Sequence, residues 1–272
     1  MSLEDCGWIC RAVVRGGHNH SQLGRLKAVF RSARIVSLPS VVSDDFRLML
    51  IAVQDDKIER VVGDLSALGN INWKSKVVLH TSGTKSIKML SPLKKLGAAT
   101  GGLHPIAAFA SGYRPESALG IYYDFFGDGT ALSCAREIVR MLKSDLLVLK
   151  SERQRVILHV ASTMASNSTA VAVRAAEHLI SRFVRPTDGK AIMACLLEST
   201  VRNLAVTDGV ESLTGPLVRG DKEVVAEHMK ALESEPALLQ FYRSWSLLGV
   251  ELLLRNRSDT RLREIKKLLE AK

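Results

Sequence analysis

Two hydrophobic rhythms divide this chain. Up to about residue 150, short apolar runs alternate with stretches whose apolar residues recur every three or four positions. The runs at 48–53 (LMLIAV) and 76–79 (KVVL) suit strands buried on both faces of a sheet. Those at 7–15, 34–38, 121–126 and 146–149 read as further strands. Helical spacing follows at 22–31, from Gln54-Asp55-Asp56 to about Leu68, from Gly83 to Gly97, and at 130–142. Strand and helix in alternation predict an α/β doubly wound sheet. Such sheets hold ligands beyond the carboxyl ends of their strands. The small polar segments His80-Thr81-Ser82-Gly83 and Gly101-Gly102-Leu103-His104-Pro105 are expected there.

Beyond residue 150 the rhythm is helical throughout. A first helix spans 152–184, and Pro186 is the first proline or glycine to interrupt it. Others are predicted at 189–205, 221–234 and 236–254, with a last amphipathic one carrying Leu262, Ile265, Leu268 and Leu269. The pattern thus predicts a sheet domain over 1–150 and an all-helical domain over 151–272.

Composition narrows the function classes. The 272 residues are 46% hydrophobic, enough for a substantial core. A net charge of +10 favours anionic ligands, but the basic residues are spread along the chain and aromatics make up only 5%. Neither a basic tail nor a stacking platform for nucleic acid stands out. Cys6-x-x-x-Cys10 lacks the second ligand pair of a zinc site, and Cys134 and Cys195 stand alone. Free thiols, no secretory leader and no run of roughly 18 apolar residues give the expectation of a cytoplasmic chain outside the membrane.

Three stretches together suggest a family. They are His80-Thr81-Ser82-Gly83 leading to Gly102-Leu103-His104-Pro105, residues 159–167 (HVASTMASN), and residues 213–221 (LTGPLVRGD). The set resembles a family of NADP-dependent oxidoreductases in which a Rossmann-like domain precedes a helical domain of unknown function. That family is related to 6-phosphogluconate dehydrogenase and pyrroline-5-carboxylate reductase. The resemblance implies an α/β fold with a Rossmann-like, mostly parallel sheet followed by an all-α domain. It also implies an NADP cofactor, hydride transfer to a small substrate, and a homodimer formed through the helices. It places Val53, Gln54 and Asp55 beside the dinucleotide, and His80, Ser82 and His104 along the sheet side of a cleft. Ser166 and Asn167 face that cleft from the long helix, with Thr214, Arg219 and Asp221 on the far wall. Where the family commonly has proline this chain has Gln54, and Leu158 replaces a tyrosine before the helix histidine.

One departure is larger. The G-x-G-x-x-G turn that carries a dinucleotide pyrophosphate occurs nowhere in the sequence. By the later landmarks, residues 7–15 match the family's second strand, as though one strand–turn–helix unit of about 25 residues were missing ahead of it. Arg15 then stands where a basic residue reads a 2′-phosphate. In the usual order the first strand is central, and its loss would orphan backbone groups at roughly 1–3 kcal/mol each. Either the 7–15 strand fills that place, a partner chain supplies a strand, or the protein begins further upstream.

Several residues have both a chemical and an architectural reading. His80 and His104 suit general acid–base chemistry, or each ties down a strand-end loop. Asn167 orients a substrate or belongs to a structural polar network. Arg219 clamps an anion or pairs with Asp221, which is itself placed to cap the helix after it. The enzyme reading is accompanied by a non-catalytic one, in which the cleft binds a metabolite or partner protein after loss of the phosphate loop.

Overall fold

The computed structural model describes residues 44–109 and 119–271, together with the backbone of 12–15 and 34–37. The loop and helix expected at 16–31, Cys6, Cys10 and the Arg15 side chain lie outside those residues. Two compact units result, the first ending at Thr169 and the second beginning at Ala170.

In the first unit, β1 (Ala12–Arg15) pairs in parallel with β2 (Arg34–Ser37) as a two-stranded sheet. A separate five-stranded sheet runs in sequence order through β3 (Leu48–Ile51), β4 (Val77–His80), β5 (Ala99–Ile106), β6 (Tyr122–Gly127) and β7 (Asp145–Val148). β1 therefore does not pair with β3. Among the described residues, no strand pairs with the outer edge of β3.

Helices cover both faces, as the doubly apolar strands require. On one side Ile51, Val78 and Ala98 pack against Ile58, Val62 and Leu65 of α1 (Ile58–Ser66) and Leu93 of α2 (Ser91–Lys95). On the other, Val77, Leu79, Leu103, Tyr123 and Phe125 meet Ala131, Cys134, Ala135, Ile138 and Val139 of α3 (Gly129–Met141). The single helix expected up to Gly97 is instead a 3-10 turn, Ile87–Leu90, continued by the short α2. Pro92 enters near the start of α2, where its missing N–H costs nothing.

Two sheet expectations are corrected. Gly101-Gly102-Leu103-His104-Pro105 is not a loop beyond a strand but lies within β5. Moreover β5 and β6 run antiparallel, whereas the pairs β3–β4, β4–β5 and β6–β7 are parallel. A parallel connection needs a crossover of a dozen or more residues, usually a helix, and the 107–121 sequence lacks a helical apolar period.

Next, α4 (Glu152–Thr163) passes through a π-helical turn, Met164–Ser168, into α5 (Thr169–Ile180). Ser151 caps its start by accepting the Gln154 N–H at 3.2 Å. By length and composition this is the one helix among the described residues able to cross a membrane. It has 29 residues and a mean hydropathy of 1.3 over its most apolar window. It meets that measure by its mean hydropathy and not as an uninterrupted apolar run. A count of uninterrupted apolar residues passed over it because Ser162, Thr163 and the Ser166-Asn167-Ser168-Thr169 run punctuate it.

The second unit continues with α6 (Pro186–Val206), α7 (Pro216–Arg219), α8 (Lys222–Ala231), α9 (Pro236–Asn256) and α10 (Thr260–Glu270). Its core joins Leu217, Val225, Val250, Leu253, Leu262, Ile265 and Leu269. The last helix thus buries Leu262, Ile265 and Leu269 of the apolar stripe that its spacing announced.

Candidate active site

Antiparallel pairing of β5 with β6 creates the site. It sets His104 directly opposite Asp124, so both side chains leave the sheet on one face, while Leu103 and Phe125 turn to the other. The His104 Nδ1 lies 2.9 Å from Asp124 Oδ2. Asp124 is almost wholly buried, and its other oxygen, Oδ1, accepts from Arg155 Nε of α4 at 3.2 Å.

Arg155 is itself only 2% exposed. Its Nη1 donates to the Lys85 carbonyl at 3.1 Å and its Nη2 to the Ser82 carbonyl. One guanidinium thus holds the β6 carboxylate and the loop after β4 together. Glu152, one turn earlier on α4, grips the same loop by accepting from Ser86 Oγ at 2.5 Å and from the Ile87 amide at 3.1 Å. Gly102 makes this possible, since a Cβ there would stand 2.7 Å from Arg155 Nη1 and 2.8 Å from Nη2. Gly83 is equally constrained. A Cβ at that position would lie 2.9 Å from His104 Nε2 and 2.6 Å from Cδ2 of His159, whose ring centroid is 5.7 Å from that of His104.

His80 shares the sheet face of Val78 and stands opposite Gly102. It is fully buried, and neither ring nitrogen has a hydrogen-bond partner among the described residues. Burial, reinforced by the nearby Arg155 charge, lowers its pKa to about 4. The imidazole is therefore neutral at physiological pH and shut off from solvent, which leaves His104 as the histidine placed for proton exchange. Ser82 is buried too, and its Oγ accepts from the amides of Thr84 at 3.3 Å and Lys85 at 3.0 Å, an architectural task. Asp55 begins the 3-10 turn after β3 and accepts from Thr84 Oγ1 at 3.3 Å, so the loops after β3 and β4 are tied together. Val53 and Gln54 are exposed just ahead of it.

Comparison with known proteins matches two family models. Residues 9–105 fit a Rossmann-like domain, and residues 121–248 fit the domain of unknown function DUF2520. Each model thus describes its own region of the chain, a Rossmann-like one followed by one that resembles DUF2520. No curated protein matches it by sequence. Among solved structures, a candidate NADP oxidoreductase from Bacteroides fragilis is similar at a TM-score of 0.73 and 18% identity, covering 90% of this chain and 89% of that one. A protein from Thermotoga maritima has a TM-score of 0.66 and 21% identity, with coverages of 89% and 90%. A Plasmodium falciparum pyrroline carboxylate reductase with NADP bound has a TM-score of 0.54 and 9% identity, covering 94% and 86%. At such identities the likeness is one of fold.

The matched regions divide the site between them. His80, Ser82 and His104 belong to the Rossmann-like region, while Asp124, Arg155 and His159 belong to the DUF2520 region. Asp124 and Arg155 escaped the sequence reading. Asp124 lies in an apolar strand whose partner and direction sequence does not display, and Arg155 looks like any surface cation at the start of a helix. A buried-site signal was nonetheless present in Gly101-Gly102, a pair that weakens a strand unless something packs against its backbone.

Elsewhere in the DUF2520 region, Ser166 and Asn167 occupy the π-helical turn of the long helix. Ser166 Oγ donates back to the Ser162 carbonyl at 2.7 Å, and Asn167 is exposed. Such turns recur at functional positions in helices. In the second unit Thr214 is exposed, and Arg219 Nε donates to Asp221 Oδ2 at 2.7 Å. Asp221 stands at the N-cap position of α8, but its side chain makes no capping bond because Arg219 holds it. The expected side-chain cap is corrected to this ion pair.

Proposed function

We propose that this protein is an NADP-dependent oxidoreductase acting on a small substrate, with His104 as the proton donor. The observation that carries the reading is the His104 ring at the carboxyl edge of a Rossmann-like sheet, held by a buried carboxylate. A nicotinamide cofactor would supply the hydride. With Nδ1–H directed at Asp124, the charged ring offers its Nε2 proton toward Gly83 and is left neutral after giving it up. Asp124 keeps the ring oriented through that transfer. Asn167 is the residue of the same unit that we assign to substrate orientation.

The residues fit the two ends of a dinucleotide unequally. Val53 and Gln54, exposed beyond β3, and the tied loops after β3 and β4 offer a platform for the nicotinamide end. For the pyrophosphate the sequence has no G-x-G-x-x-G turn. That absence favours the second reading, a non-catalytic protein whose cleft binds a metabolite or partner.

Titration of the 272-residue chain with NADPH and NADH, followed by nicotinamide fluorescence, separates the two readings. The oxidoreductase reading expects saturable binding in about the micromolar range, tighter for NADPH. It also expects His104→Gln to bind equally well while turning over screened substrates roughly a hundredfold more slowly. Binding of neither nucleotide supports the non-catalytic reading.

We also propose a homodimer through the helices. Leu196, Val201 and Leu204 of α6 and Trp245 of α9 are each more than half exposed, a larger apolar display than single surface residues make. Analytical ultracentrifugation should give about twice the 29.8 kDa chain mass, and a single-chain mass at micromolar protein would refute it.

A further inference from the structure

We infer that Asp124 is a positioning residue that fixes the proton of neutral His104 on Nδ1, and that Arg155 decides which end of that side chain faces the ring once the two ends differ. The inference rests on the reading of His104 as proton donor, but its geometry stands apart from any substrate.

Asp124 has two oxygens and two claimants. Arg155 Nε can only donate, so the atom at the Oδ1 position must accept. Nη1 and Nη2 of the same guanidinium are engaged by the Lys85 and Ser82 carbonyls. The Nε–H is therefore not free to swing elsewhere, and Gly102 leaves the guanidinium flat against β5. Oδ2 remains for His104 Nδ1, and as a carboxylate oxygen it too accepts. The neutral imidazole is consequently held as the Nδ1–H tautomer, with the Nε2 lone pair toward Gly83. From that state Nε2 takes up and releases a proton without any movement of the ring. Asp124 as a carboxylate sets this tautomer by itself; Arg155 adds direction where the two ends of the side chain are not equivalent.

Directionality has a specific consequence in Asp124→Asn, which keeps the shape of the side chain. Arg155 Nε still demands an acceptor, so the amide oxygen takes the Oδ1 place and the NH₂ faces His104. The NH₂ donates, Nδ1 must then accept, and the neutral ring carries its proton on Nε2. The tautomer is inverted. A neutral Nε2–H is a far weaker acid than an imidazolium, so turnover falls by roughly a hundredfold or more.

The test is ¹⁵N NMR of the full chain labelled at histidine, with His104 assigned by its absence in His104→Gln. In the unsubstituted protein, at a pH where the ring is neutral, the proton is expected on Nδ1. In Asp124→Asn it is expected on Nε2. An Nε2–H tautomer in the unsubstituted protein, or a retained Nδ1–H in Asp124→Asn, overturns the inference. The first measurement needs no variant, so misfolding of Asp124→Asn cannot shelter it. If the chain proves non-catalytic, the inversion is still expected and only the turnover effect disappears.

Discussion

Arg155→Met lowers the stability of the first unit by about 3–5 kcal/mol, the range found when one partner of a buried ion pair is removed. The substitution keeps much of the side-chain length but leaves three acceptors without their donor, namely the Asp124 carboxylate and the Ser82 and Lys85 carbonyls. Asp124 is only 2% exposed, so water does not replace the guanidinium. Gly102→Ala should act on the same group by collision, since the added carbon must push the guanidinium off β5, at about 1–3 kcal/mol. Urea unfolding followed by far-ultraviolet circular dichroism checks both. A loss for Arg155→Met below about 1 kcal/mol, the scale of a solvent-exposed pair, would contradict the burial argument.

His80→Leu makes the protein less sensitive to acid. The unfolded chain protonates this histidine below about pH 6.5, whereas the folded chain does so only near pH 4 because burial and Arg155 disfavour the charge. Between those values unfolding takes up a proton, so the stability His80 allows at neutral pH is lost as pH falls. From about pH 7 to pH 4.5 the parent should lose roughly 2–3 kcal/mol more than His80→Leu, at 1.36 kcal/mol per unit. At neutral pH the substitution costs little, because it removes two ring nitrogens with no hydrogen-bond partner among the described residues. Urea midpoints of both proteins at the two pH values measure this. Parallel losses would mean that His80 gains a proton without unfolding.

Much of the fold was legible in the order of residues because burial leaves a local mark. Val77-Val78-Leu79 is buried on both faces of the sheet, and a β-branched apolar run states that directly. The helices α3, α9 and α10 carry their cores at the spacing of a single face. Even the small residues around His104 announced a place where something approaches the backbone closely.

Pairing leaves no such mark. Whether β6 runs with or against β5 depends on the path of the chain between them, and that direction alone sets Asp124 opposite His104. Arg155 shows no apolar signature, and its burial follows from three acceptors brought to it by two strands and a loop. His80 and His104 looked alike as strand-end histidines, yet one is sealed inside the sheet layer and the other faces a carboxylate at its edge. By itself the sequence determined an α/β sheet domain, a helical continuation and the segments bearing the candidate chemistry, because periodicity and residue size are local properties. Tertiary structure alone decided which of those groups meet and which is charged, because hydrogen bonding and desolvation depend on neighbours distant in the chain.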